Sequence, residues 1–342
     1  MARGFHQRLL DRNWIPFLSW HNLEELLAIE DDARAQERVA FLRELPLLAW
    51  FRLPDEQFGV GAITDIAAAE AVACCEGQEG LHAVTSRAKT LLLRFGTGAE
   101  AIGDHDGVWR LVRHEVLRRI DRVREIVAIA PFPFDGEDMT LGQLLCGRLV
   151  GSQDMSSRFA AMAARLTQEV ATKGDRRICD PARTAADFVQ QVAELAGQPS
   201  SVQELIVRMC TRCGLELHEL RDELTIRELS ELATFRAKLR VVAPKTGRTF
   251  EELRALVRME WCPQWIIERD MRAHAPDLPR RNGSDLVDGY LAALTPYVDH
   301  LFVDKRTNET FRLLPQACQT RLIMSKVSKA GTFEAMFEEL AR

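Results

Sequence analysis

Residues 295–311 read TPYVDHLFVDKRTNETF, and this stretch decides which fold the sequence predicts. A short apolar run, Leu301 to Val303, lies between Asp299 and Asp304. Apolar runs of this length that contain Val and Phe are typical of buried strands. The polar residues that follow are either a surface loop or ligands at the carboxyl end of a parallel strand, where open α/β sheets bind their ligands.

The sequence on both sides of this run alternates between predicted helices and strands. Upstream, SDLVDGYLAAL (284–294) predicts a helix. Downstream, TNETFRLL (307–314), RLIMSKV (321–327) and TFEAMFEELA (332–341) predict a helix, a strand and a final helix. Strands and helices that alternate with short connections favour a parallel sheet with right-handed crossovers.

The first fifty residues show the same alternation. We predict strands near 15–19 and 47–51, separated by helices that begin near residue 21 and end near residue 44. From about residue 61 to 279 helical periodicity dominates, and three Ser/Thr-x-x-Glu capping boxes mark helix starts: Ser201–Glu204, Thr225–Glu228 and Thr249–Glu252.

The economical interpretation joins the two ends of the chain into one domain. It predicts an α/β domain formed by residues 1–60 and 280–342, with a mainly α-helical insertion at 61–279. The strands near 15–19, 47–51, 300–304 and 321–327 would then be neighbours in one parallel sheet.

Composition excludes several classes of protein. The chain has 342 residues, 46% of them hydrophobic and 28% charged, which is typical of a globular protein with a buried core. A net charge of −5 gives no overall basic field for nucleic-acid binding, although a local basic groove would suffice. No apolar run reaches the length of about 18 residues that a membrane-spanning helix needs. Eight irregularly spaced cysteines indicate reduced thiols and a cytoplasmic location.

Acidic residues recur at places that a parallel sheet would bring together. Glu24 and Glu25 open the helix after the first strand, Asp285 and Asp288 lie one turn apart, and Asp304 ends a strand. A cluster of carboxylates is the ligand set that Mg²⁺ and Mn²⁺ prefer. Each acid alone also has an ordinary explanation, as a helix cap or a solvated side chain.

Two segments resemble PIN-like domains. WIPFLSWHNLEELL (14–27) is similar to the second-strand element of that family, in which a Ser ends the strand and a Glu follows six positions later: Ser19 and Glu25. NGSDLVDGYLAALTPYVDHLFVDKRT (282–307) is similar to the later element, in which an acid opens a helix and the next strand ends in Asp. The resemblance covers about 1–55 and 280–342 and is nearest to bacterial PIN-like nucleases, here with a large helical insertion.

The resemblance implies a Mg²⁺-dependent (or Mn²⁺-dependent) nuclease that acts on RNA, with single-stranded RNA as the expected substrate. It implies four catalytic residues: Glu25, Asp285, Asp288 and Asp304. Of these, Glu25, Asp285 and Asp304 would hold the metal. We predict that the hydroxyl of Ser19 and three basic side chains bind the substrate: Arg281, Lys305 and Arg306. A solvated charged loop explains the three basic residues equally well.

The family's first strand has no counterpart in this sequence. In PIN-like domains this strand ends in an Asp and lies centrally in the sheet, whereas no residues before Arg12 match it. Either the strand lies upstream of Met1 or the chain lacks the first metal ligand. The alternative function is therefore a catalytically inactive PIN-like protein that uses its helical insertion to bind a protein partner.

Overall fold

The chain divides into two compact units. The computed structural model describes residues 2–103, 106–129, 137–146, 152–196, 202–275 and 284–341. Unit 1 consists of Met1–Ile120, Val242–Pro276 and Leu286–Arg342, and unit 2 consists of Asp121–Val241 and Asp277–Asp285. Both ends of the chain therefore lie in unit 1, together with residues 61–120 and 242–276, which the sequence analysis placed in the insertion.

The strands are short and form two separate sheets. They are β1 (Phe17–Leu18), β2 (Leu48–Phe51), β3 (Leu93–Gly96), β4 (His300–Phe302) and β5 (Lys326–Ser328). In the first sheet β1 pairs with one edge of β2 in parallel, and β3 pairs with the other edge antiparallel. In the second sheet β4 pairs with β5 in parallel.

The prediction of one sheet with four parallel neighbours is therefore not confirmed. Two predicted pairs form, but hydrogen bonds join neither β1 nor β2 to β4 or β5 in the part of the chain that the structure describes. The predicted strand at 321–327 begins late, because residues 319–323 are helical. A tertiary contact fixes that helix: the Thr320 hydroxyl donates to the buried carboxylate of Asp270 at 2.8 Å.

Most of the described chain is helical, so the protein belongs to the mixed α/β class with helices in the majority. The α-helices are α1 (Ala2–Leu10), α2 (Trp20–Leu27), α3 (Asp32–Arg43), α4 (Ile63–Cys75), α5 (Leu81–Leu92), α6 (Gly98–Ile102), α7 (Asp106–Ile129), α8 (Leu141–Cys146), α9 (Ser152–Lys173), α10 (Pro181–Ala196), α11 (Val202–Cys213), α12 (Ile226–Thr246), α13 (Phe250–Leu256), α14 (Pro263–His274), α15 (Ser284–Ala292), α16 (Lys305–Leu313), α17 (Gln319–Ile323) and α18 (Phe333–Leu340).

Local sequence signals place several of these helices correctly. The capping boxes at Thr225 and Thr249 form, because each hydroxyl accepts a hydrogen bond from the N–H of a Glu whose carboxylate accepts from the Thr N–H. The third predicted box begins at Ser201, which lies outside the described residues. No described helix is long and apolar enough to cross a membrane.

The core of unit 1 fixes α2 against the first sheet. Leu23 and Leu27 are four residues apart on one face of α2, and both are completely buried. They belong to the same apolar cluster as Leu48 and Trp50 of β2. Burying a leucine side chain stabilises the fold by about 1.5–3 kcal/mol, so this contact holds the acidic face of α2 in a defined position.

In unit 2 the residues that the structure describes form helices and their connections, with no strand. These helices have a core of their own. Leu166 and Val170 of α9 pack with Ala185 and Val189 of α10. The carboxylate of Asp175, which follows α9, accepts hydrogen bonds from the Arg177 side chain. These hydrogen bonds lower the pKa of Asp175 to about 2 despite its burial, which acts in the opposite direction.

Candidate functional site

The first turn of α2 is fixed by hydrogen bonds that use the side chain of Ser19. Ser19 is 1% exposed and caps α2: its hydroxyl donates to Asn22 Oδ1 at 2.8 Å and accepts from the Asn22 N–H. The Trp20 N–H donates to the Gly61 carbonyl at 2.9 Å, just ahead of α4. Ser19 is therefore committed to the cap, and its buried hydroxyl does not present itself to a substrate.

His21 connects α2 with α4 and α15. Its Nε2 accepts a hydrogen bond from the Ile63 N–H (3.3 Å), so Nδ1 carries the proton and donates to Glu24 (3.0 Å). The ring packs on Tyr290 of α15 with 4.7 Å between centroids. A buried histidine thus brings the acidic face of α2 next to the helix that carries Asp285 and Asp288.

Glu25 lies on the solvent side of α2. Its side chain is exposed, yet protein atoms crowd its carboxyl group enough that desolvation raises its pKa. Nearby His21 lowers the pKa and Glu24 raises it, with smaller effects than desolvation. Glu25 therefore holds its charge less readily than a fully solvated glutamate.

A third helix contributes an acid that the sequence analysis missed. Glu268 of α14 accepts a hydrogen bond from the Gln264 side chain at 2.7 Å. Desolvation raises the pKa of Tyr290, and the charges of Glu268 and Glu24 raise it further. Carboxylates of α2 and α14 thus act on one tyrosine of α15, and we call Glu24, Glu268 and Tyr290 the acidic cluster.

Behind this cluster lies a buried glutamate, Glu70 of α4. It is 1% exposed, and its Oε1 accepts hydrogen bonds from the Tyr297 hydroxyl (2.5 Å) and the Gln264 N–H (2.9 Å). Burial raises the pKa of Glu70 to about 8, although both hydrogen bonds oppose the shift. At neutral pH Glu70 is therefore protonated, and it serves as a hydrogen-bonding group of the core.

A sequence signal for Glu70 existed. In ITDIAAAEAVACC (63–75) it is the only charged residue after Asp65 in an otherwise small and apolar helix. A glutamate in a segment that is apolar on all sides must be buried, and a buried carboxyl group needs partners. The chain has only two tyrosines. Tyr297 donates a hydrogen bond to Glu70, and Tyr290 packs on His21.

The structure places the α15 acids only in part. Asp285 is the second residue of α15, but its side chain lies outside what the structure describes, as does the whole of Arg281. Asp288 is half-buried on the same helix. Asp288 and Tyr290 are two residues apart, which corresponds to about 200° around a helix, so Asp288 lies on a different face from the Tyr290 ring.

Asp304 follows β4 and caps α16. One oxygen accepts a hydrogen bond from the Thr307 N–H at 2.7 Å, and the side chain remains exposed. Lys305 and Arg306 occupy the first turn of α16 and are also exposed. The cap explains the Asp-Lys-Arg sequence after the strand without any ligand, while leaving the second oxygen of Asp304 available to solvent.

The donor chemistry of these residues suits a hard cation, but no complete ligand set is described. Glu25, Asp288 and Asp304 offer carboxylate oxygens, which Mg²⁺ prefers. Among the side chains that the structure describes, however, no group of three or more His, Cys, Asp or Glu residues could hold one metal ion. Asp285 is the predicted ligand whose side chain would have to complete such a set.

Comparisons with known proteins leave the family open. No family model, curated protein or solved structure matches the chain.

Proposed function

We propose that the protein is a PIN-like nuclease that hydrolyses phosphodiester bonds of single-stranded RNA in the cytoplasm with the help of Mg²⁺ or Mn²⁺. One observation carries the proposal: the His21–Tyr290 contact at 4.7 Å joins α2 to α15. These are the two helices on which the sequence resemblance rests. Glu25 of α2 would form the site with Asp285 and Asp288, which lie on a face of α15 other than that of Tyr290.

The residues have distinct roles in this proposal. Glu25 and Asp285 would hold the cation with Asp304, through the Asp304 oxygen that does not cap α16, and Asp288 would assist them. Bound Mg²⁺ would supply Lewis acidity and neutralise charge on the phosphate. The exposed Lys305 and Arg306 of α16, with Arg281, would bind the phosphates on either side of the scissile bond. Ser19 has only a structural role.

The test uses the full chain and a fluorescently labelled single-stranded RNA. We expect cleavage in the presence of Mg²⁺ or Mn²⁺ and none in the presence of a chelator. Glu25→Gln and Asp288→Asn should each reduce the rate at least 100-fold, because each removes a charge from the site. Glu37→Gln, an exposed change on α3, is the matched control and should cleave at the wild-type rate.

A second candidate function is favoured by the capping roles of Ser19 and Asp304. If these residues serve only the fold, the protein is a catalytically inactive PIN-like scaffold that binds a protein partner through its helical insertion. Failure of the full chain to cleave RNA with either metal would reject the nuclease and leave this alternative. Cleavage that the chelator abolishes and Glu25→Gln does not change would place the active site elsewhere.

A further inference from the structure

The edge of β1 that faces away from β2 carries unused backbone hydrogen-bonding groups. Phe17 lies opposite Ala49 in the ladder, and the Ala49 N–H donates to the Pro16 carbonyl at 2.9 Å. In a parallel ladder, one residue of each opposed pair makes both of the hydrogen bonds to the neighbouring strand, and in this pair that residue is Ala49. The N–H and C=O of Phe17 therefore point out of the sheet's open edge.

The same geometry recurs on β4. Phe302 lies opposite Ser328, and the Val303 N–H donates to the Ser328 carbonyl at 2.9 Å. Ser328 makes the bonds of this pair, so the N–H and C=O of Phe302 point away from β5. No hydrogen bond to the backbone groups of Phe17 or Phe302 is present within the described ranges of the chain.

Both open edges line one cavity. It has a volume of about 490 Å³ and is bordered by Phe17 of β1, by Pro16 just before it, and by His300 and Phe302 of β4. Cavities that bind ligands have volumes of about 300–1,000 Å³. All lining residues belong to unit 1. The buried Nε2 of His300 has no hydrogen-bond partner among the described residues.

Most of the remaining lining is apolar. The apolar lining residues come from α1 (Phe5 and Leu9), from α18 (Met336 and Leu340) and from α15 and the residues just after it (Leu291 and Leu294). The polar lining residues besides His300 are few: Asn13, Asn22, Lys89 and Asp299. Ile15 and Phe95 are 39% and 58% exposed, so apolar surface reaches the entrance. Exposed apolar surface next to a free strand edge marks an interaction site.

We infer that this groove binds an extended apolar peptide, which adds as a β-strand between β1 and β4. A strand presents N–H and C=O groups on both of its edges and can therefore pair with Phe17 on one side and Phe302 on the other. Its side chains alternate between two faces, and the lining requires most of them to be uncharged. A small apolar molecule would fill the space but leave the backbone groups unpaired.

The inference is independent of the proposed nuclease, because the acidic cluster and Asp304 do not line the groove. The occupant is an extended peptide with a central run of about four apolar residues, and the test supplies it as a separate molecule. Such a run spans about 13 Å at 3.3 Å per residue, which covers the three residues of β4.

The probe is the capped synthetic peptide Lys-Val-Ile-Val-Val-Lys, added to the full chain. We expect it to raise the melting temperature in a concentration-dependent manner and to slow amide exchange of Phe17 and Phe302 at least tenfold. The matched control is the same peptide with alternate amide nitrogens methylated, which keeps the apolar side chains but removes ladder donors. It should bind about tenfold more weakly or worse.

Two pairs of variants test the same bonds from the protein side. Phe302→Pro removes the N–H that points into the groove and leaves the β4–β5 bonds in place, whereas Phe302→Leu keeps that N–H. Binding of the peptide should weaken about tenfold for Phe302→Pro relative to Phe302→Leu. Phe17→Pro and Phe17→Leu provide the equivalent comparison on β1 if Phe302→Pro does not fold.

Three results would overturn the inference. Equal binding of the plain and methylated peptides would show an apolar cleft without strand pairing. A full chain that sediments as a dimer and ignores the peptide would assign the groove to a second copy. A monomer whose melting temperature and Phe17 and Phe302 exchange do not respond to the peptide would show that the groove binds no strand.

Discussion

The carboxylate of Asp304 has a visible structural task, which allows its capping and metal-binding roles to be separated by two substitutions. Asn caps a helix about as well as Asp, whereas Ala does not cap at all. We expect Asp304→Ala to lower the free energy of unfolding by about 1 kcal/mol and Asp304→Asn to lower it by less. Urea titration followed by circular dichroism measures both changes.

Asp304→Asn also tests the proposed metal site when Mg²⁺ is added. If Asp304 also holds the cation, Mg²⁺ should stabilise the wild type and stabilise Asp304→Asn less, although the two proteins are nearly equal without metal. An equal effect of Mg²⁺ on both proteins would remove Asp304 from the metal site and leave it as a cap.

At the scale of elements, α6 approaches the end of α3 closely at Gly98. Gly98 opens α6, its N–H donates to the Leu45 carbonyl at 2.8 Å, and a Cβ at this position would overlap the carbonyl group of Leu42 at the end of α3. We expect Gly98→Ala to lower the free energy of unfolding by about 3 kcal/mol, near the upper end for overpacking. Urea denaturation measures this loss.

Gly4 is the matched control for this substitution. It is exposed on α1, and nothing lies within 4 Å of an added Cβ. Gly4→Ala should therefore raise the free energy of unfolding by about 0.5–1 kcal/mol, because Ala is the better helix former. Equal stability of Gly98→Ala and the wild type would mean that α3 and α6 are farther apart than described.

The sequence predicts elements better than it predicts their partners. The helices α2, α15, α16 and α18 follow from apolar spacing and caps, which are local. Pairing of strands is not local. The strand β3 follows directly on α5, with no Gly or Pro between them to mark a boundary in the sequence, and it pairs with the edge of β2 that β1 leaves free. The helix α17 replaces part of a predicted strand because Thr320 bonds Asp270, fifty residues earlier in the chain.

The candidate site shows the same division. The resemblance selects Ser19, Glu25, Asp304 and the α15 acids, and the structure shows that Ser19 and Asp304 also cap helices. Glu268 was missed because it lies in the segment that helical periodicity assigned to the insertion. Its place in the cluster depends on how α14 packs beside α15, which no local pattern in the sequence encodes.

At the scale of the whole molecule, the acidic cluster and the strand groove both lie in unit 1, and α15 contributes to each. Tyr290 faces His21 in the acidic cluster, while Leu291 and Leu294, in and just after α15, line the strand groove. A strand that fills the groove would restrict α15 and, through Tyr290, the acidic face of α2. Peptide binding and metal binding should therefore be measured on the same protein sample.

Unit 1 also contains a buried titrating group, Glu70, that makes the stability of the protein depend on pH. The folded pKa of Glu70 is raised from 4.5 to about 8, so the folded state keeps a proton that the unfolded state loses. This contribution is fully present below about pH 4.5 and is lost as pH rises through about 8. Burial lowers the pKa of His300. This shift lowers the stability as pH falls below about 6.5, which is the opposite pH dependence to that of Glu70.

We therefore expect the free energy of unfolding of unit 1 to fall by about 2 kcal/mol between pH 6.5 and 8.5. Tryptophan fluorescence isolates this unit, because all six tryptophans lie in it: Trp14, Trp20, Trp50, Trp109, Trp261 and Trp265. Glu70→Gln cannot ionise, and its amide oxygen still accepts from the Tyr297 hydroxyl and the Gln264 N–H. The variant should lose this pH dependence and be more stable than the wild type at pH 8.5, whereas Glu37→Gln should keep the wild-type slope. A wild-type fluorescence transition that does not move over this range, or a Glu70→Gln transition that moves as much, would show that Glu70 is already ionised in the folded protein.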